Sequence, residues 1–277
     1  MKRVGLVLLV LLFGVTLFAC QSEDQFDLDE KTSIVVGLEA AYAPFNWATP
    51  TQNEFTVSIT GQAGFYADGY DVVMAQRIAD ALGLNLVIKA YGWDGLIPAL
   101  NAGEIDLIIA GMSPTAERAL TVNFSEEYYR SEQVMVVRVD GSYADATSIT
   151  DFSGAKVVAQ AGTLQDDLID QITGVIHQET LNSYSDLVNA LAYGTSDAFV
   201  AELPVATSIV QTNSQFMIIQ FGEGLGFEVS DEDIMVSVAM RLEDLNLLDA
   251  VNEALSGITN LERQQIMQDA LLRQPQE

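Results

Sequence analysis

One stretch of the chain combines residue types that can hold the carboxylate of a small zwitterion. Residues 93–118 read as a helix, an apolar strand over 105–110 and a turn into a further helix, with Gly103 ending the first helix. Gly111, Ser113 and Arg118 follow the strand. Amides at a helix start are free donors, and a guanidinium offers two parallel N–H groups. We therefore expect this turn to bind a carboxylate.

A similar strand–glycine–helix turn occurs later in the chain. An apolar strand over 156–160 continues into Gly162 and Thr163 before a helix over 164–172. In open α/β sheets, ligands bind beyond the carboxyl ends of the strands, so two such edges that face each other would form a cleft. The remaining predicted strands are 33–38, 84–90, 133–139, 196–201, 216–221 and 233–240, and the remaining helices are 70–82, 185–193, 245–256, 261–272 and one opened by Pro204. This alternation predicts mostly parallel sheets covered by helices, arranged as two lobes.

The N-terminus has the pattern of a secretory signal. Lys2 and Arg3 precede an apolar run over 4–18, which is short for a spanning helix. The run ends in Leu17-Phe18-Ala19-Cys20, which resembles the lipobox of bacterial lipoproteins. We expect residues 1–19 to be a signal peptide, Cys20 to be lipidated and 20–32 to form a membrane tether on the extracytoplasmic face. An uncleaved anchor with an incidental cysteine is the alternative.

Composition excludes several kinds of partner. The formal charge is −27, and removal of residues 1–19 leaves 10 basic and 39 acidic side chains, a charge of −29. So strong an acidic surplus argues against nucleic acid and anionic lipid headgroups as partners. The chain has one cysteine and one histidine, so we expect no disulfide, transition-metal site or cofactor.

Several motifs in the right order resemble a known family, the extracytoplasmic solute-binding proteins of polar amino acid ABC transporters. The motifs are Ala41-Tyr42-Ala43-Pro44-Phe45, Gly69-Tyr70-Asp71-Val72, Leu96-Ile97-Pro98-Ala99-Leu100, Gly111-Met112-Ser113-Pro114-Thr115-Ala116-Glu117-Arg118, Phe124-Ser125-Glu126-Glu127-Tyr128-Tyr129, Gln160-Ala161-Gly162-Thr163 and Asp197-Ala198-Phe199-Val200-Ala201-Glu202. The resemblance implies a monomeric α/β protein of the type II periplasmic-binding-protein fold that captures a polar amino acid and delivers it to the permease of an importer. We expect lobe 1 over 33–139 and 223–277, lobe 2 over 140–222, and hinge crossings near 137–140 and 222–233.

The resemblance also implies roles for individual residues. Arg118 and Ser113, with the backbone of Gly162 and Thr163, would bind the α-carboxylate. Glu202 stands where the family usually has an Asp for the α-ammonium, and the Gly111 backbone would assist it. The remaining positions would face the ligand side chain: Tyr42, Tyr70 and Trp93 as aromatic walls and Glu39 as an acid. Glu39 and the tyrosines favour arginine, ahead of lysine, histidine, glutamine or cystine.

Alternatives remain open at this point. The alternative for the three aromatic residues is core packing, and the alternative for Glu39 is a solvated strand end. The segment 46–67 is longer than in most relatives; we expect it at the rim of the cleft, with a hairpin over 54–60. Two other functions fit the same fold, a cyclohexadienyl dehydratase-like enzyme with Glu202 as general acid, and a surface sensor or adhesin. We expect binding rather than catalysis, because no nucleophile or metal set accompanies Glu202.

Overall fold

The computed structural model describes residues 26–28 and 30–275. Cys20 and the predicted signal peptide lie outside the described residues. Within the described part, the strands are β1 Ser33–Leu38, β2 Ala41–Tyr42, β3 Asn46–Thr49, β4 Val57–Ser58, β5 Tyr66–Asp68, β6 Asn85–Ala90, β7 Leu107–Ile108, β8 Asn123–Arg130, β9 Gln133–Arg138, β10 Lys156–Val158, β11 Ile176–His177, β12 Ala198–Glu202, β13 Phe216–Ile219 and β14 Met235–Met240. The helices are α1 Tyr70–Leu82, α2 Leu96–Asn101, α3 Leu164–Ile169, α4 Tyr184–Ala192, α5 Leu203–Thr212, α6 Asp231–Ile234, α7 Leu245–Ser256 and α8 Asn260–Arg273. Over this part of the chain, no helix has the length and apolar character needed to cross a bilayer.

Helix α1 illustrates how local signals set the elements. Its apolar side chains recur at helical spacing and are buried, among them Val72, Ile78 and Ala79. The helix ends at Gly83, whose φ of 69° is left-handed and whose N–H donates to carbonyls of the last turn. The structure therefore has the helix at the bounds that the sequence predicted.

The first lobe is built on a five-stranded sheet in the order β6-β1-β7-β14-β8. Strand β1 pairs in parallel with β6 and β7, whereas β14 runs antiparallel to β7 and β8. Helices α1 and α7 pack against each other, and α7 also packs on β8. The carboxyl ends of β1 and β7 therefore lie at one edge, where Glu39 and Gly111 follow them.

The second lobe is built on another five-stranded sheet, in the order β11-β10-β12-β9-β13. Strand β10 is parallel to β11 and β12, and β9 is antiparallel to β12 and β13. Its core includes Phe152 and Ala198 and is continued by Phe221 and Phe227 of the segment after β13. Residues 220–229 therefore pack on the second lobe.

The predicted boundaries between the lobes need correction. Strand β9, which we expected in lobe 1, lies in the second sheet between β12 and β13. The chain leaves the first sheet at 131–132 and returns over 230–234, after the segment 220–229 that packs on the second lobe. At that point Ser131 N–H donates to the Ile234 carbonyl at 2.9 Å, so the two crossings lie side by side. The apolar pattern of β9 shows that the strand is buried but not which sheet it joins.

Residues 41–68 form a small antiparallel sheet in the order β2-β3-β5-β4. The hairpin formed by β4 and β5 includes Gly61 in its turn, with a φ of 83°. This sheet packs toward β6 through the Ile59–Ile88 bridge and toward the end of α8, whereas its β2–β3 end, with Tyr42 and Trp47, faces α4 of lobe 2. There, the Arg273 guanidinium lies 3.0 Å from Asp68 and 4.0 Å from the Phe55 ring centroid.

The residue after α8 contacts the other lobe. Gln274 is buried, accepts a hydrogen bond from the Ser208 hydroxyl of α5 and donates to Gln211 Oε1 at 3.3 Å. The C-terminal end of α8 therefore joins the small sheet of lobe 1 to a helix of lobe 2.

Candidate functional site

A cavity lies between the two lobes, at the edges where the strand ends meet. Lobe 1 lines it with Glu39, Tyr42, Trp93, Gly111, Ser113 and Arg118, and lobe 2 with Gln160, Thr163, Leu164, Gln165, Tyr184 and Glu202. The enclosed space is about 20 Å³, which accommodates one water molecule. An amino acid therefore enters only if the lobes separate or the lining side chains move.

Glu202 forms the acidic end of the cavity. It is the last residue of β12, is 2% exposed and accepts a hydrogen bond from the Tyr42 hydroxyl at 2.5 Å. Burial raises the pKa of Glu202 to about 7, although the Tyr42 bond opposes this shift. A cation that reaches this carboxylate would favour its ionised form and displace or share the Tyr42 bond.

Glu39 supplies a second carboxylate from the other lobe. It follows β1, and its Oε1 accepts a hydrogen bond from Gln160 Nε2 at 2.9 Å. Burial raises the pKa of Glu39 to about 7; the Gln160 bond opposes the shift and the charge of Asp94 adds to it. The two carboxylates thus share a poorly solvated space with the guanidinium of Arg118.

Arg118 is held by backbone carbonyls from both lobes. Its guanidinium donates to the Ser113 carbonyl at 2.9 Å and to the Gly162 carbonyl at 3.2 Å, and it lies 5.1 Å from the Trp93 ring. Burial lowers the pKa of Arg118, and the charges of Glu117 and Glu202 oppose that effect. Because it lines the cavity, this guanidinium can also receive a ligand carboxylate.

The predicted helix after Gly111 does not form. Residues 111–117 are irregular, and Arg118 begins a 3₁₀ turn over Arg118–Leu120. The predicted helix-start amides are therefore absent from this wall, and Ser113 and Arg118 are presented by a loop. Pro114 limits the helix there, because a proline disfavours the helical conformation of the residue before it. On the opposite wall, Thr163 does precede α3, with its hydroxyl donating to the Gln160 carbonyl at 2.8 Å.

Trp93 closes the seam between the lobes. Its indole N–H donates to the Gly162 carbonyl of lobe 2 at 2.9 Å. Gly162 has a φ of 68°, and a Cβ at this residue would lie 2.8 Å from the Asp94 carboxylate. Trp93 thus lines the cavity and also bridges the mouth, while Gly162 contributes through its carbonyl at that mouth.

Tyr70 lies outside the cavity, contrary to its predicted place. It is fully buried at the start of α1, and its hydroxyl donates to the Tyr128 carbonyl at 2.7 Å. The second tyrosine of the cavity is Tyr184, whose ring centroid lies 4.9 Å from that of Tyr42. The sequence does not point to Tyr184, because the predicted helix over 185–193 starts one residue after it, whereas α4 starts at Tyr184.

A local signal identifies the true start of α4. Ser183 accepts from the Asp186 N–H with its hydroxyl, as expected of a serine three residues before an acid at a helix start. The cap at Ser183 makes Tyr184 the first helical residue and directs it to the cleft side. Gln160, Leu164 and Gln165 were also missed, although Gln160 belongs to a motif that the family resemblance had selected. Among the described residues, no group of His, Cys, Asp and Glu is arranged to hold a metal.

Known proteins share this arrangement over nearly the whole described chain. The sequence profile of the bacterial extracellular solute-binding proteins, family 3, matches residues 34–270. The arginine-binding extracellular protein ArtP of Bacillus subtilis is 27% identical over 260 residues, which cover 92% of each chain. A probable histidine-binding protein of Campylobacter jejuni is 29% identical over 241 residues, covering 82% of this chain and 86% of the relative.

A solved structure gives the same result for the fold. The substrate-binding protein AbpA of an amino acid ABC transporter from Streptococcus pneumoniae, bound to L-arginine, superposes with a TM-score of 0.74 at 26% identity. The alignment covers 88% of this chain and 97% of that one. The two sheets with their double crossing are accordingly the two lobes of the type II periplasmic-binding-protein fold. This chain belongs to the bacterial extracellular solute-binding proteins of family 3.

Proposed function

We propose that this protein captures a cationic amino acid, with arginine favoured, and delivers it to the permease of an ABC importer. It would act as a monomer on the extracytoplasmic face of the cell membrane, held there by a lipid on Cys20 after removal of residues 1–19. The amino acid would be bound and released unchanged.

The charge of the cavity is the observation that carries this proposal. Two carboxylates, Glu39 and Glu202, and one guanidinium, Arg118, line the same small space. A neutral amino acid neutralises one charge of each sign and leaves one carboxylate buried without a cation. A buried charge is costly unless it is paired, so a ligand with a second cation matches the site better. The names of the Bacillus and Streptococcus proteins, which bind arginine, support the same choice.

The geometry suggests one role for each wall. The α-carboxylate would bind Arg118 with the Ser113 hydroxyl and the Thr163 backbone, and the α-ammonium would bind Glu202 near the Gly111 backbone. The side chain would extend toward Glu39 between the rings of Tyr42 and Tyr184. Because these residues come from both lobes, the ligand would bind the closed arrangement better than an open one and shift the population toward it.

The motion that admits the ligand would occur at the two crossings, 131–132 and 230–234. These segments connect otherwise separate sheets, and the hydrogen bonds that join the lobes across the cleft include those of Tyr42, Trp93 and Glu39. Opening would break these bonds and solvate the polar groups that make them. We accordingly propose lobe 1 as residues 33–130 and 235–275, and lobe 2 as the part between the crossings.

A thermal-shift screen of the protein lacking residues 1–20 against the proteinogenic amino acids tests the proposal. A ligand that binds only the folded state raises the unfolding temperature by mass action. We expect arginine to give the largest shift, lysine and histidine smaller ones, and aspartate none. The matched control is Arg118→Ala, which should reduce every shift at the same ligand concentration. A shift only with neutral amino acids would refute the cationic preference, and consumption of an amino acid or of a cyclohexadienyl acid would refute simple binding.

A further inference from the structure

We infer that Asp71, which does not line the cavity, is the positioning residue that ties together the two ligand-contacting loops of lobe 1. One loop follows β1 and carries Glu39 and Tyr42; the other follows β7 and carries Gly111 and Ser113. The inference rests on the proposed function for its effect on binding, but the hydrogen bonds that support it are made within the protein itself.

The first arm of this connection passes through Asn46. The Asn46 amide nitrogen donates to Asp71 Oδ2 at 2.7 Å, and its Oδ1 accepts the Ala40 N–H at 2.7 Å. Ala40 lies between Glu39 and Tyr42 and has a φ of 56°, a backbone conformation that is strained for alanine. The Asn46 bond therefore holds a strained residue beside both predicted ligand contacts.

The second arm passes through Tyr128 of β8. The Tyr128 hydroxyl donates to Asp71 Oδ1 at 2.7 Å and accepts the Gly111 N–H at 3.1 Å. Gly111 has a φ of 65°, and a Cβ there would lie 2.7 Å from the Tyr42 ring. The orientation of the Gly111 peptide is thus fixed by a side chain that is itself fixed by Asp71.

The chemistry of this network requires an acceptor on both sides of residue 71. Asp71, Asn46 and Tyr128 have no exposed surface, so water cannot replace a missing partner. Asp71 lies in the first turn of α1, where the helix dipole favours a negative charge. Burial raises the pKa of Asp71 to about 7, whereas the bonds from Tyr128, Asn46 and Gly111 lower it. A carboxylate accepts on both oxygens, and an asparagine side chain cannot.

A variant and its reciprocal partner test this network. In Asp71→Asn, the single amide oxygen serves Tyr128 or Asn46 but not both, so one loop loses its tether. In the double variant Asn46→Asp/Asp71→Asn, the new amide at position 71 donates to the new carboxylate at position 46. That carboxylate still accepts the Ala40 N–H, and the amide oxygen at position 71 accepts the Tyr128 hydroxyl. Every hydrogen bond of the network is thereby restored, and only the bond between the side chains at positions 46 and 71 has its donor and acceptor exchanged.

Two measurements are made on each variant. Calorimetry well below the unfolding temperature should show that Asp71→Asn lowers the affinities for arginine and glutamine at least about tenfold relative to the wild type. The double variant should bind both with near-native affinity. Amide hydrogen exchange without ligand should show faster exchange at Ala40 or Gly111 in Asp71→Asn, and native protection in the double variant. Amides of β12 serve as the internal control.

The two measurements separate failure of this inference from failure of the proposed function. If the wild type binds no amino acid, the proposed function is wrong, but the exchange rates still decide the role of Asp71. If Asp71→Asn lowers only the unfolding temperature, with affinity and both amide rates native, Asp71 is not a positioning residue. If Asp71→Asn does not fold, Tyr128→Phe replaces it and should release Gly111 alone. A double variant that folds but neither binds nor protects these amides also overturns the inference.

Discussion

Replacing Glu39 by Gln separates the charge of this side chain from its shape. The new amide oxygen can still accept the Gln160 hydrogen bond that Glu39 accepts at 2.9 Å, so the wall between the lobes is retained. Only the charge that faces the ligand side chain is lost. We therefore expect arginine to bind more weakly and glutamine to bind as before.

The size of the effect depends on pH in a way that the structure specifies. Where Glu39 is ionised, a desolvated charged contact is worth about 1–3 kcal/mol, or roughly 5- to 150-fold in affinity. Because the pKa of Glu39 is about 7, its carboxyl is mostly protonated at pH 6 and must lose its proton before it pairs with a cation. Each pH unit below the pKa costs about 1.4 kcal/mol, or tenfold. Glu202 has the same pKa of about 7, but every amino acid needs it ionised.

The ratio of arginine affinity to glutamine affinity isolates Glu39, since the Glu202 contribution cancels. In the wild type this ratio should fall about threefold between pH 8 and pH 6 if the charged contact contributes about fivefold, and about tenfold if it contributes about 150-fold, because affinity for the cation is lost as the carboxylate is protonated. In Glu39→Gln the ratio should be lower than that of the wild type at pH 8, and it should not change with pH. Isothermal calorimetry at both pH values measures the four affinities for each protein. A wild-type ratio that does not change with pH, or a variant ratio that still changes, would refute the assignment of Glu39.

Three further predictions concern the other charges and the motion. Arg118→Ala should lower the affinity for every amino acid at least about thirtyfold, since loss of one partner of a buried charge pair costs about 2–5 kcal/mol. Native-like affinity by calorimetry, with an unchanged circular dichroism spectrum, would contradict this. Glu202→Gln should lower the affinities for arginine and glutamine by the same factor, because both ligands carry the α-ammonium. A selective loss of arginine binding would mean that Glu39 and Glu202 have exchanged roles. Arginine at a concentration that just saturates the wild type should reduce its radius of gyration in small-angle scattering, and should reduce that of Arg118→Ala less. Identical wild-type curves with and without arginine would argue against closure about 131–132 and 230–234.

Elements whose ends are set by local chemistry were predictable from the sequence. Helix α1 begins and ends as expected because Gly83 can adopt the left-handed conformation that terminates it. Helix α7 likewise has its predicted bounds, Leu245–Ser256. At the site, Glu39, Glu202 and Arg118 do line one cavity, since each follows a predicted strand end and such ends converge at the edges of α/β sheets.

What could not be predicted depends on contacts distant in sequence. The apolar strand β9 is buried in either sheet, and only its pairing with β12 and β13 assigns it to lobe 2. Tyr70 and Tyr184 each lie at a helix start, and whether the ring enters the core or the cavity depends on which element packs over it. The polar residues of 111–117 are compatible with a helix start and with a loop. Pro114 favours the loop, which therefore replaces the predicted helix.

The Trp93 contact across the seam has a practical consequence, because it gives the protein its own optical reporter. The chain has two tryptophans, and Trp47 is buried in the small sheet of lobe 1. The indole of Trp93 instead donates across the cleft to the Gly162 carbonyl, so separation of the lobes would expose it to water. A Trp47→Phe protein would therefore emit from a single fluorophore at the lobe interface. Its spectrum would report opening and closing in real time, without an attached dye.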